Sequence, residues 1–169
     1  LDANLITGSS MGVFMHASAP RMSNNVIADN SETGVVVEGA WPRLLHNTIA
    51  RNVGRAGIRV ESGAVVTLTN TLLVSHSLGI TVSAASTATL EGTLWGSGSW
   101  ANDTDWGGAG TIVTGTCNYW GDPAGGVGTI LRKEGIVGDN LHHLGPHGTG
   151  QRVAAIGRAM GARGHAGSC

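Results

Sequence analysis

The segment Asn25-Val26-Ile27-Ala28 decides the fold, because it returns as Asn47-Thr48-Ile49-Ala50 and again as Asn70-Thr71-Leu72-Leu73. Related segments stand one period earlier, at Asn4-Leu5-Ile6, and one period later, at Thr93-Leu94-Trp95. A nearly constant period of about 22 residues is typical of solenoid proteins, in which each repeat packs against its neighbours. The sequence therefore predicts a stack of coils, one for each period.

Two further series of short segments share this period. In Gly57-Ile58-Arg59-Val60 the apolar and polar residues alternate, which indicates a half-buried strand. The same unit recurs at Gly12-Val13-Phe14-Met15, Gly34-Val35-Val36-Val37 and Gly79-Ile80-Thr81-Val82. The remaining series consists of Pro20-Arg21-Met22, Pro42-Arg43-Leu44-Leu45, Val65-Val66-Thr67-Leu68 and Thr87-Ala88-Thr89-Leu90. Each coil is thus expected to contain three short strands.

A single coil cannot bury its own apolar face, so the coils must stack with adjacent strands about 4.8 Å apart. Asn25, Asn47 and Asn70 are expected to lie in register, where their amides form a hydrogen-bonded ladder with a structural role. The predicted fold is all-β, a parallel β-helix of about five coils.

These units resemble the right-handed parallel β-helix repeats of the pectin-lyase-like superfamily, over about residues 4–124. The segment Asn118-Tyr119-Trp120-Gly121-Asp122-Pro123 is similar to those that close such repeats in secreted and surface-attached bacterial proteins. The resemblance implies an extracellular or cell-surface location, although the residues after Leu1 lack a signal-peptide pattern.

The chain divides into repeats at residues 1–124 and a tail at 125–169 that is rich in Gly, Ala, His and Arg. The tail is predicted to be irregular. Val153, Ile156 and Met160 stand at helical spacing, so a short capping helix is expected near residues 151–162. Because Leu1 stands almost at the start of a repeat, we expect further coils or domains of a longer parent chain as partners.

Composition narrows the classes of partner. The net charge is −1, which disfavours nucleic acid, and the sequence contains no apolar run long enough to predict a membrane span. Cys117 and Cys169 define neither a disulfide framework nor a metal site. The seven His residues fit no closed metal site, and we expect them on the surface or in the tail.

The repeat period changes after Gly79, because the next Gly-x-x-Val unit, Gly110-Thr111-Ile112-Val113, stands later than the period of the preceding coils requires. This spacing predicts an insertion of about nine residues and a loop over Trp95–Gly108. Indole faces stack on sugars while carboxylates bind hydroxyls. The candidate carbohydrate-binding residues are Trp95, Trp100, Asp103, Asp105 and Trp106. The alternative is that the Trp residues cover the core. The acidic pair could also hold Ca²⁺ through oxygen ligands, but two carboxylates are too few to define a site, so no cofactor is predicted.

A glycoside hydrolase needs two carboxylates at a controlled separation. Glu38 and Glu61 each follow a Gly-x-x-Val strand and should stack on adjacent coils, about 4.8 Å apart, which makes them the candidate catalytic residues. The alternative is a solvated pair that Arg59 or Arg43 neutralises. A lyase would need several acids to hold Ca²⁺, and no cluster of three acids recurs.

Two functions remain open on the sequence. The favoured hypothesis is a non-catalytic secreted or cell-surface β-helical repeat domain that acts as a scaffold or a polysaccharide-binding stalk. The alternative is a fragment of a polysaccharide lyase or glycoside hydrolase that acts along the β-helix face.

Overall fold

The computed structural model describes residues 1–96, 98–115 and 118, and three short strands beyond them. The first two coils contain β1 (Leu5–Ile6), β2 (Met11–His16), β3 (Arg21–Ser23), β4 (Val26–Ala28), β5 (Thr33–Glu38) and β6 (Arg43–Leu45). The next two contain β7 (Thr48–Ala50), β8 (Ala56–Glu61), β9 (Val65–Thr69), β10 (Leu72–Val74), β11 (Leu78–Val82) and β12 (Thr87–Glu91). The fifth contains β13 (Leu94–Trp95), a 3₁₀ helix (Gly98–Trp100), β14 (Thr104–Gly108) and β15 (Thr111–Thr114).

From β1 to β15, every third strand joins the same sheet. The short-strand sheet has the order β1-β4-β7-β10-β13, and the long-strand sheet has the order β2-β5-β8-β11-β14. The third sheet runs β3-β6-β9-β12-β15 and continues to β16 (Ile136–Val137). All of these pairings are parallel. The predicted parallel β-helix of about five coils with three strands per coil is confirmed.

The core lies between the three sheets because the side chains alternate along each strand. In β8, Ile58 and Val60 are fully buried whereas Arg59 points outward and is only partly covered. The register stacks like residues on like, so that Val35, Ile58 and Ile80 form one aliphatic column. Burial of one such aliphatic side chain contributes about 1.5–3 kcal/mol, and the column repeats this gain coil after coil.

Glycine stands near the start of the first four long strands, where the chain leaves the corner after the short-strand sheet. A Cβ on Gly57 would lie 2.7 Å from the Gly79 carbonyl oxygen, 2.7 Å from Leu73 Cδ1 and 2.8 Å from His76 Cε1. Equivalent clashes exist at Gly12, Gly34 and Gly79. The position thus requires glycine because the side chains inside the corner need its space.

The corners depend on single residues in the left-handed conformation. Before the short-strand sheet these are Ala3, Asn24, His46 and Asn70, and after it Asp29, Arg51 and Ser75, with φ between 45° and 59°. Each stands directly before the residue that turns its side chain into the corner. Non-glycine residues rarely adopt this conformation, so the stacked corners must over-determine it.

The register corrects one sequence alignment. Thr48 pairs with Leu72, so Thr71 rather than Asn70 stacks on Asn47. Thr71 is buried and its hydroxyl donates to the Thr69 carbonyl, whereas Asn70 stands at a left-handed corner and is exposed. The prediction that Asn70 joins the ladder is therefore wrong by one residue.

The fifth coil corrects a second alignment. Thr104–Gly108 is a strand of the long-strand sheet, with Ile80 opposite Trp106, and Thr111–Thr114 belongs to the third sheet. Leu73 pairs with Trp95 before the corner and Leu78 pairs with Thr104 after it, so the extra residues lie between Trp95 and Thr104. The predicted loop over Trp95–Gly108 is therefore too long: the extra residues lie in the corner that holds the 3₁₀ helix, whereas Thr104–Gly108 is a strand.

Three short strands lie in the segment predicted to be irregular. Ile136 pairs with Ile112 in the third sheet. His142–Leu144 and Gly150–Arg152 pair antiparallel as β17 and β18. The capping helix predicted near residues 151–162 falls, from residue 153 onward, outside the described residues. Within the described part of the chain, no helix is long and apolar enough to cross a membrane.

Gly57→Ala is expected to lower the free energy of unfolding by about 3 kcal/mol, because the new methyl group overpacks the corner. Gly63→Ala serves as the control, since a Cβ there meets nothing within 4 Å. Its positive φ should cost only about 1 kcal/mol. Urea unfolding followed by circular dichroism measures both, and equal losses would contradict the crowded-corner account.

Candidate functional site

A buried polar ladder runs along the corner between the short-strand and long-strand sheets. Asn30 donates from its Nδ2 to Asn52 Oδ1 (2.9 Å), and Asn52 Nδ2 lies 3.3 Å from His76 Nε2. On the next coil, His76 Nδ1 lies 3.0 Å from Asn102 Oδ1. Since all four side chains are buried, each must find its partners inside the protein. We call this set the Asn/His ladder.

The ladder fixes the state of His76. Asn102 Oδ1 also accepts the His76 backbone N–H, so His76 Nδ1 carries a proton and its Nε2 accepts from Asn52. Burial lowers the pKa of His76 to about 4, although the bond to Asn102 opposes part of this effect. The imidazole is thus neutral at physiological pH and serves as a bridge between two amides.

Asp105 lies at the end of the ladder, at the position that glycine occupies in the long strands of the first four coils. It lies opposite Gly79 in the long-strand sheet, and its carboxylate accepts from Asn102 Nδ2 at 3.1 Å. Asp105 is buried. This candidate carbohydrate-binding residue therefore faces the interior and contributes to the corner.

A second ladder lines the corner between the third and short-strand sheets. Asn47 Oδ1 accepts from the backbone N–H and Nδ2 of Asn25, at 3.0 and 2.9 Å. Asn118 repeats the arrangement at the other end, where its Oδ1 accepts the Thr93 N–H and its Nδ2 donates to the Leu90 carbonyl. The structural role assigned to Asn25 and Asn47 agrees with these bonds to the main chain.

The candidate catalytic carboxylates lie on the outer face of the long-strand sheet. Glu38 and Glu61 pair in register on adjacent strands, as their spacing indicates. His16 Nδ1 lies 3.8 Å from the Glu38 carboxylate, and Arg59 Nη2 lies 3.2 Å from Glu61 Oε1 as an ion pair. Arg43 lies on the third sheet instead. Each carboxylate thus faces a cationic or titratable group, and a catalytic role for the pair stays a prediction.

The predicted sugar-binding tryptophans separate into buried and exposed residues. Trp95 and Trp106 are 0% and 1% exposed and pack edge-to-face, with ring centroids 6.1 Å apart. They replace the smaller aliphatic residues of the preceding coils. Indole faces inside the core are closed to a sugar from solvent, so the alternative of core packing holds for this pair.

Trp100 and Asp103 remain on the surface. Trp100 is 58% exposed, and its carbonyl accepts the Ser75 N–H at 3.0 Å, which fixes it to the corner. Asp103 is exposed on the same corner, where its N–H donates to the His76 carbonyl. These two side chains are the part of the predicted carbohydrate site that solvent reaches.

Sequence reasoning missed the Asn/His ladder. It placed His76 on the surface, which is wrong. The signal was present in the pairs Asp29-Asn30, Arg51-Asn52 and Ser75-His76, which recur with nearly the period of the strands. It was overlooked because a histidine interrupts a series of asparagines.

The described residues do not form a cluster suited to a metal ion. Among them, no group of three or more His, Cys, Asp or Glu side chains is arranged to hold one. The carboxylates of Asp103 and Asp105 diverge, because the first is exposed and the second is buried.

A family model described as a right-handed β-helix region matches residues 1–95. The chain belongs to this right-handed β-helix family. The match covers more than half of the 169 residues and includes the first four coils. No curated protein and no solved structure matches the chain. The family assignment agrees with the parallel sheets of the β-helix.

Acid should destabilise this β-helix through His76. The pKa of His76 is 6.5 ordinarily and about 4 in the folded chain, so the unfolded chain binds more protons between these values. The contribution of neutral His76 to the free energy of unfolding is therefore fully present above pH 6.5. It is lost as the pH falls toward 4, by up to about 3 kcal/mol. Asp105, which bonds to Asn102, is the nearest acidic group on the ladder.

His76→Asn is the matched variant, because asparagine occupies the equivalent place on three other coils. Urea unfolding of both proteins at pH 7 and pH 4.5 separates the His76 contribution from that of the carboxylates. The wild type should lose about 2 kcal/mol more than the variant over this interval. Parallel losses would show that His76 is not the acid-sensitive group.

Proposed function

We propose that this β-helix is a non-catalytic repeat domain of an extracellular or cell-surface protein, which acts as a scaffold and binds polysaccharide at the corner of the fifth coil. The observation that carries the proposal is that Trp100 and Asp103 are both exposed in the same corner, where the coil length changes. Residues repeated from coil to coil are explained by stacking. A side chain at an irregular corner is free of that constraint.

The chemistry of the corner favours a sugar. An exposed indole offers an apolar face on which the C–H face of a pyranose packs, and a nearby carboxylate accepts hydrogen bonds from hydroxyls. Two main-chain hydrogen bonds anchor the corner to the preceding coil: the Trp100 carbonyl accepts from Ser75, and the Asp103 N–H donates to the His76 carbonyl. A preorganised site loses little conformational entropy on binding.

The second candidate function, hydrolysis or lyase-type cleavage along the β-helix face, is favoured by the in-register pairing of Glu38 with Glu61. Arg59 already occupies one side of Glu61, and His16 faces Glu38. Because each carboxylate already faces a basic side chain on the sheet surface, the pair is explained without a catalytic role. We therefore rank binding above catalysis.

Affinity electrophoresis in gels that contain pectin, alginate or xylan tests the proposal. We expect retardation by at least one polysaccharide, and Trp100→Ala should weaken it about tenfold, which corresponds to about 1.4 kcal/mol. Val53→Ala is the control, because Val53 is an exposed apolar residue at a corner of an earlier coil. Retardation that is equal in both variants, or absent in the wild type, would contradict the proposed site.

A turnover assay separates the second candidate. The intact chain is incubated with the same polysaccharides, with and without Ca²⁺, and new reducing ends and unsaturated uronates are measured. We expect neither product. Turnover that disappears in Glu61→Gln would overturn the non-catalytic proposal.

A further inference from the structure

The outer face of the third sheet presents side chains in straight columns. Arg21 pairs with Arg43, Arg43 with Thr67, and Thr67 with Thr89, so the four form one column. A neighbouring column contains Val65, Thr87 and Thr111. We call the two columns, together with Trp41, the third-sheet face.

Trp41 belongs to this face because it stands two positions before Arg43 on an extended segment. Its N–H donates to the Ser18 carbonyl at 2.7 Å, and the N–H of Val65 donates to the Ala40 carbonyl, which continues the parallel register through Trp41. The side chain is 56% exposed. An exposed indole thus lies one column away from the arginines.

The two arginines form a pair of like charges on adjacent strands. Arg21 and Arg43 are both exposed on adjacent strands, about 4.8 Å apart, where like charges destabilise a sheet. The ion pairs of the described residues do not include them. Hydrogen bonds from Ser23 and Asn24 lower the pKa of Asp2, the nearby acid, and the charge of Arg21 makes a smaller contribution, so Asp2 balances Arg21 only in part. An anion shared by the two guanidinium groups would relieve the repulsion.

We propose that the third-sheet face binds a sulfated polysaccharide. The sugar ring packs on Trp41, and a sulfate ester lies between Arg21 and Arg43. A sulfate ester has three terminal oxygens, enough to accept from two guanidinium forks, whereas a carboxylate has two. Thr67 and Thr89 continue the arginine column and offer hydroxyls to the next sugar units.

This site goes beyond the proposed function because it lies on the third sheet, whereas Trp100 lies in the 3₁₀ helix at the corner between the other two sheets, and because it recognises an anion. It does not require the fifth-coil corner. The two proposals fail separately, since Trp100→Ala should leave binding to the third-sheet face unchanged.

Isothermal titration of the intact chain with dextran sulfate, dextran and polygalacturonate tests the proposal. Dextran sulfate should bind and dextran should not, because they share one backbone and differ in sulfation. Arg43→Gln and Trp41→Ala should each weaken dextran sulfate binding about tenfold, which one lost charge-assisted contact or one stacked ring accounts for. Arg55→Gln removes an exposed arginine outside the face and should leave the affinity unchanged.

The remaining outcomes decide against the proposal. Equal weakening by Arg43→Gln and Arg55→Gln would show that dextran sulfate binds through the net charge of the protein and not through the third-sheet face. In the Trp100→Ala background, which lacks the fifth-coil indole, polygalacturonate binding as tightly as dextran sulfate would overturn the choice of sulfate. Wild-type affinity in Trp41→Ala would show that no sugar ring packs on Trp41. Thermal melts of each variant confirm folding, which is expected because all three side chains are exposed.

Discussion

The fold depends on satisfying main-chain polar groups at the corners of each coil. Strand hydrogen bonds connect one coil to the next, but the turns bring N–H and C=O groups into the interior, where an unpaired group costs about 1–3 kcal/mol. Asn47 and Asn52 supply side-chain amides that bond both to the neighbouring coil and to main-chain carbonyls. The glycines near the start of the long strands leave room for these side chains.

This constraint explains why much of the fold could be predicted from the sequence. The strand series that include Gly34 and Arg43 recur at a nearly constant spacing. A change in the spacing would displace the buried asparagine amides at the corners. The same regularity brought Glu38 opposite Glu61 as expected. Repetition therefore predicts stacking, and it leaves irregular or outward-facing positions, such as Trp100 and Trp41, as the candidates for binding.

The errors arose where different residues meet the same requirement. A threonine hydroxyl replaces an asparagine amide at Thr71, and an imidazole replaces it at His76, so alignment by residue identity lost the register. In the fifth coil, Trp106 takes the place of Ile80 and Asp105 that of Gly79, which hid a strand within an apparent loop. The buried contact between Trp95 and Trp106 fills that coil, and periodicity alone does not reveal such compensation.

The most direct test compares two asparagines at the corner between the third and short-strand sheets, one on each of two adjacent coils. Asn47→Ala removes an amide with bonds to Asn25, Met22 and Leu45, whereas Asn24→Ala changes an exposed residue with a positive φ. Urea unfolding should show a loss of roughly 3 kcal/mol or more for Asn47→Ala and about 1 kcal/mol for Asn24→Ala. Equal losses would contradict the claim that the buried amides hold the coils together.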